Sequence, residues 1–280
     1  MLPQFLRILY LILWYTNLSV VHSDDQKKRF FIGKVAYNSP EKLLIAHDPI
    51  ARQIQSRLKL EDVEFKLYLD YEQVYSALRN GEIELAWLGS VFFVKQKEWA
   101  YPIVCPEWSG KSSYRGQILV RADSNINNFD DLKGKRFAFV SRTSSSGYIF
   151  PLALLRSKGL DTNSFSEFAF LDKHSTVVYS ILARQFDAGA AYDGVLEENS
   201  YKQFKGKFRI LGKTTYIHNE PLVIHPDLQQ TWAEPIRKAL TEINQEEKLK
   251  IINGIPNLTG FKAVTRESYT NLREMVRYVK

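Results

Sequence analysis

Short apolar runs alternate along the chain with segments whose apolar positions recur every three or four residues. "FIGKVAY" (Phe31–Tyr37) predicts a strand, "DPIARQIQSRLKL" a helix, and "VEFKLYL" (Val63–Leu69) a second strand. A helix through "EQVYSALRNG" and a strand at "IELAWLG" follow. The order then returns. "RFAFV" (Arg136–Val140) is a strand, "SGYIFPLALLRSKGL" a helix, "SEFAFLD" a strand, "HSTVVYSILARQ" a helix, and "FDAGAAYDG" a strand and loop. "LYLDYEQVYSAL" and "AFLDKHSTVVYSIL" share V-Y-S-x-L, with Asp70 and Asp172 102 positions apart and Val74 and Val178 104 apart. The pattern predicts an α/β protein built from two similar lobes.

In open parallel sheets, ligand binds outside the carboxyl ends of the strands. Those ends carry Asn38, Tyr71, Gly89 with Ser90, Ser141–Gly147, His174 and Asp193. If the lobes face each other, these loops meet at one cleft. The chain must cross between lobes twice, and the extended segments 114–124 and 214–226 stand where crossings are needed. Asn128 or Asp130 can cap a short helix after the first.

The opening differs from the rest. Arg7 precedes an apolar stretch from Ile8, and a charged segment starts at Asp24. That order predicts a secretory signal peptide, residues 1–23, with Val21 and Ser23 as the −3 and −1 residues. An uncleaved anchor is the alternative, but Thr16, Asn17 and Ser19 interrupt a run already short for a span. Cleavage would remove one positive charge from the formal +7, leaving a mildly basic protein suited to an anionic ligand. No compact basic run or RNA-binding signature points to nucleic acid. Cys105 is the only cysteine, so no intrachain disulfide and no CxxC metal site can form.

"SRTSSSGYIFPLALL" (Ser141–Leu155) carries the chemistry. Ser144, Ser145 and Ser146 fall between a strand and the first turn of a helix, where unpaired N–H groups and a partial positive charge attract phosphate-like anions. Hydroxyls add neutral donors around a tetrahedral group, Gly147 lets the backbone approach, and Pro151 is tolerated in the first turn. N-capping alone would use one serine. A P-loop is excluded by the missing G-x-x-x-x-G-K-[ST], and a nucleophile elbow by the missing first glycine of G-x-S-x-G. A serine nucleophile with His174 as base remains the enzymatic alternative.

With Ser144-Ser145-Ser146-Gly147 and Pro151, "DYEQVYSALRNGEIELAWLGS", "INNFDDLKGKRFAFV", "FDAGAAYDG" and a C-terminal helix through "VTRESYTNLREMVR", the chain resembles the phosphate/phosphonate/phosphite-type periplasmic substrate-binding proteins of ABC transporters. The resemblance implies a type II periplasmic-binding-protein fold that closes by a hinge. Its lobes would be residues 24–118 with the return 218–280, and residues 119–217. Carried over, Tyr71 and Tyr114 would donate phenol hydroxyls to the oxyanion, Ser144, Ser145 and Ser146 would hold it from the second lobe, and His174 would hydrogen-bond an oxygen and, if protonated, add charge.

Asp193 and Glu220 match positions where the family places a carboxylate or another polar group. A carboxylate beside an oxyanion is repulsive unless it accepts a ligand proton or pairs with a ligand cation. Glu220 would read an amino group or a P–OH hydrogen, or else be a surface residue before Pro221; the alternative for Asp193 is to cap a turn. Trp87 and Phe92 would pack in the core or line the cleft. The run departs from the family by having Ser145 where threonine is common, which bears on ligand identity. The function implied is capture of a phosphonate, phosphite or phosphate for an ABC permease by an exported, monomeric protein that needs no cofactor or metal. Alternatives are a ligand-sensing subunit of a membrane receptor, a serine hydrolase, and a ferric-ion binder.

Overall fold

The computed structural model describes residues 29–36, 40–96, 100–198, 200–255 and 257–279. The expected signal peptide and Asn38 lie outside the described residues. The chain forms two sheets. The first has the order β11-β4-β10-β3-β1-β2 and the second β7-β6-β8-β5-β9.

In the first lobe β1 (Arg29–Val35), α1 (Pro40–Leu58), β2 (Asp62–Tyr68), α2 (Tyr71–Arg79) and β3 (Leu85–Trp87) form a right-ordered βαβαβ unit, with β1 parallel to both β2 and β3. α3 (Ser90–Lys95) and β4 (Tyr101–Trp108) follow. The second lobe starts with β5 (Ser113–Arg121) and repeats the unit as β6 (Arg136–Phe139), α4 (Phe150–Ser157), β7 (Glu167–Phe170), α5 (His174–Leu182) and β8 (Ala188–Tyr192). Here β6 is parallel to both β7 and β8. β9 (Phe208–His218) leads back to β10 (Leu222–Ile224), α6 (Glu234–Thr241), α7 (Gln245–Ile252), β11 (Leu258–Ala263) and α8 (Thr270–Val279) in the first lobe. The architecture is the two-lobed type II binding-protein fold.

The internal repeat is real in space but its offset differs from the V-Y-S identity. Tyr71 and His174 each open the helix after the second strand of their unit, 103 positions apart, so Val74 corresponds to Val177. Val74, Ala77 and Leu78 are buried, and so, each 103 positions on, are Val177, Ser180 and Ile181. Burial selects the offset.

β5 pairs in the second sheet over its whole length, with β8 and β9. The first crossing therefore runs through residues 109–112, upstream of the segment 114–124 expected to make it, and the return through 219–221. The N-cap of the short turn Asp130–Leu132 is Phe129, not Asn128 or Asp130; the Asn128 side-chain oxygen accepts the Asp131 N–H at 3.2 Å from one residue earlier.

Each sheet is packed on both faces, as parallel strands require. Ile50 and Ile54 of α1 cover Ile32, Leu85 and Trp87, while Phe137, Phe139 and Leu155 fill one side of the second sheet. One apolar cluster spans both lobes: Ile149, Phe150 and Leu152 at the start of α4 pack with Phe93 of α3 and with Leu272 and Val276 of α8. The Arg156 guanidinium adds a bond to the Tyr278 carbonyl, 2.8 Å. The helix that follows the serine run is thus seated on the first lobe's C-terminal helix.

Candidate functional site

The serine run enters its helix through a turn that is wider than an α-turn. Residues Ser145–Ile149 form a π-turn, with the Ile149 N–H donating to the Ser144 carbonyl at 3.0 Å. Such turns change where first-turn groups point and recur at functional sites. Ser144 is the N-cap: its hydroxyl oxygen accepts the Gly147 N–H at 3.0 Å. One serine therefore caps, as elementary helix chemistry asks. The other two, Ser145 and Ser146, are buried at 8% and 2% exposure.

Two glycines allow this geometry. A Cβ on Gly147 would stand 2.3 Å from Val140 Cγ2 and 2.8 Å from Ser144 Oγ. A Cβ on Gly116 would stand 2.8 Å from the Ser146 carbonyl oxygen. The crossing strand β5 and the serine turn consequently touch backbone to backbone. Tyr114, two residues earlier on β5, brings its phenol to the hydroxyls of Ser145 and Ser146. Burial, and then the charge of Glu220, push this phenol up to about 12, so it is a neutral O–H donor at any physiological pH. Tyr114, Ser145 and Ser146 are the site residues that the structure brings into contact.

Tyr71 and His174 occupy equivalent places in the two lobes. Asp70 caps α2 by accepting the Gln73 N–H at 2.8 Å, which sets Tyr71 at the first turn. Its ring stacks on Phe92 with centroids 5.6 Å apart. Phe92 in turn meets Tyr75 edge-on at 5.7 Å, so Phe92 is a partly buried prop for the tyrosine. Trp87 is core, 2% exposed.

His174 Nδ1 accepts the Tyr192 N–H at 3.2 Å, and the two rings meet at 90° with centroids 5.1 Å apart. Burial lowers its pKa to about 4. An imidazole that is neutral and accepts at Nδ1 carries its proton on Nε2. His174 is therefore a neutral N–H donor in the unliganded protein, not the added positive charge that protonation would supply.

The two acids differ. Asp193 joins strands: its Oδ1 accepts the Arg115 N–H at 3.1 Å, its own N–H donates to the Arg115 carbonyl at 2.9 Å, and Lys213 Nζ lies 3.9 Å from Oδ2. Glu220 lies in the return crossing, where its charge acts on Tyr114 and on Lys34.

Lys34 is a site feature that the sequence reading missed. It is 8% exposed, and its ammonium lies 4.2 Å from the centroid of the Trp87 ring. The signal was present in "FIGKVAY": strand alternation puts residue 34 on the face of Ile32, and a lysine there breaks an apolar row. Asn219 was also missed. Buried at 4% exposure, it ties the crossings together, its amide donating to the carbonyls of Pro106 at 2.8 Å and Lys111 at 2.9 Å. Its own carbonyl accepts the Tyr269 hydroxyl at 2.8 Å.

At the serine turn two buried hydroxyls and a phenol, all neutral donors, meet at a helix entry. Such groups can surround an oxyanion without neutralising it. Among the described residues no cluster of three or more His, Cys, Asp or Glu side chains could hold a metal ion, and no helix is long and apolar enough to cross a membrane.

The chain is similar to known proteins in sequence and in fold. Residues 32–269 match the family described as ABC transporter, phosphonate, periplasmic substrate-binding protein. The phosphonates-binding periplasmic protein of Escherichia coli K12 is 23% identical over 230 residues, covering 79% of this chain and 68% of that protein. Among solved structures, XAC2383 from Xanthomonas citri bound to ATP superposes with a TM-score of 0.76 at 18% identity, covering 90% of this chain and 98% of that one. PhnD1 from Prochlorococcus marinus MIT 9301, in complex with methylphosphonate, superposes with a TM-score of 0.69 at 19% identity and the same coverages. With the match running from β1 to the last turn before α8, the chain belongs to the family of periplasmic phosphonate-binding proteins of ABC transporters.

Proposed function

We propose that this protein captures a small phosphorus oxyanion outside the cytoplasm, after export by residues 1–23, and hands it unchanged to an ABC permease. The observation that carries the reading is the meeting of Ser145, Ser146 and Tyr114 at a helix entry, with Gly147 and Gly116 excluding any Cβ from it. In this reading the serines, their N–H groups and the Tyr114 phenol hold the oxyanion, while Tyr71 and the His174 Nε2–H supply donors from the two helix starts. Directional neutral donors in a desolvated cleft reject a ligand that leaves one of them unpaired.

His174 argues for binding over hydrolysis. A general base needs a free Nε2 lone pair. With Nδ1 accepting from Tyr192 N–H, Nε2 carries the proton and cannot take one from serine. Thermal shifts of residues 24–280 against methylphosphonate, phosphite, phosphate and 2-aminoethylphosphonate, with sulfate as control, test the reading. A ligand at a hundred times its Kd stabilises by about 2.7 kcal/mol. A selective shift that Ser145→Ala abolishes is expected; no shift with any phosphorus oxyanion overturns the reading.

A further inference from the structure

Strand register brings a buried lysine and the approach to Glu220 to one end of the first sheet. β1 pairs with β3 as Ile32 with Leu85 and Gly33 with Ala86, so the next step sets Lys34 beside Trp87. β10 pairs antiparallel to β3 with Leu222 opposite Trp87. Lys34, Trp87 and Leu222 therefore form one row across the sheet. Since β10 runs against β3, the residues preceding Leu222 lie beyond the carboxyl end of β3, on the cleft side. The Leu88 N–H fixes that approach by donating to the Pro221 carbonyl at 3.1 Å. Glu220 is two residues before Leu222, in the return crossing just outside β10.

The surroundings leave Lys34 few partners. Trp87 lies under its ammonium at 4.2 Å, and His47, buried beside Trp87 with ring centroids 5.7 Å apart, is neutral at physiological pH. Burial lowers the Lys34 pKa, and the charge of Glu220 opposes that lowering. An ammonium this buried needs a counter-charge.

We propose that Lys34 sets the ligand class of this cleft. Its ammonium is the counter-charge of Glu220, so the cleft accepts a phosphorus oxyanion with an uncharged substituent and disfavours one that carries an ammonium group. Without Lys34, Glu220 would be a bare carboxylate beside the anion, and a ligand cation would be the natural group to satisfy it. With Lys34 present the carboxylate is already matched, and a ligand ammonium would be desolvated without a partner. The inference rests on the functional reading above.

Isothermal titration of methylphosphonate and 2-aminoethylphosphonate against the full mature chain tests it. The wild type should favour methylphosphonate by about tenfold or more, and Lys34→Met should shift that ratio toward the amino ligand by at least about tenfold. Lys34→Met/Glu220→Gln should lose the gain. Glu220→Gln alone, which does not depend on how the lysine variant folds, should tighten methylphosphonate several-fold by about the charge effect of one freed ammonium. A wild type that favours 2-aminoethylphosphonate, or a ratio that Lys34→Met leaves unchanged, overturns the inference while the functional reading stands. A wild type that binds no phosphorus oxyanion overturns both.

Discussion

The Tyr192 backbone N–H donates to His174 Nδ1 at 3.2 Å, and this bond fixes which imidazole nitrogen holds the proton. Nitrogen-detected NMR of the unliganded protein should show His174 as the Nε2–H tautomer, titrating near 4. Replacing it with alanine removes one donor and should weaken oxyanion binding by about ten- to hundredfold. A His174 that is cationic at pH 7 without ligand would contradict this assignment.

His174 and His47 also make stability depend on pH. Burial is the first cause of the lowering in both, to about 4 from an ordinary 6.5. The unfolded chain then binds more protons than the folded one between those values, so stability rises with pH across that window. The contribution is complete above pH 6.5 and is lost as pH falls toward 4, at most about 3 kcal/mol for each residue. Urea unfolding from pH 7 down to 4.5 should show the decline before most carboxylates titrate, and His47→Gln/His174→Gln should flatten it.

Gly147→Ala should disturb both stability and binding. The added methyl meets Val140, a β-branched side chain with little freedom, and the capping oxygen of Ser144. Overpacking of this kind costs about 1–3 kcal/mol. Because the turn must open to accept the methyl, anion affinity should fall more than in a control such as Gly206→Ala, where the methyl meets nothing within 4 Å.

Asn219→Ala leaves two carbonyls in the crossings, those of Pro106 and Lys111, without their buried amide donor. Stability should fall by about 2–4 kcal/mol, read by urea denaturation. The serine turn keeps its contacts, so ligand added in excess should recover part of the loss by mass action.

Much of the architecture was legible in the sequence because it rests on period and order. Two βαβ units and the serine helix start follow from alternation and turn chemistry. Finer features depend on which neighbour a residue meets. The shared V-Y-S tripeptide suggested a 104-residue offset for the valines, and the sheets impose 103, since burial and not identity aligns the helices. The crossing was expected from 114 onward, but extended residues carry no mark of the sheet they join. In the candidate site, the serine run was readable from local spacing. Ser144 separates from its neighbours as the cap only once the π-turn is seen. Lys34 and Glu220 are 186 positions apart, and only the register of three strands brings Lys34 and the approach to Leu222 to one end of the sheet.

The clamp at Asn219 has a mechanical consequence. With the outgoing and returning strands bound to one side chain, a rotation of one lobe against the other has its pivot there, and displacement grows with the lever arm from that point. Tyr114 stands only two residues past the Ser112 carbonyl that accepts the Asn219 N–H at 3.0 Å. It is close to the fulcrum and should move least.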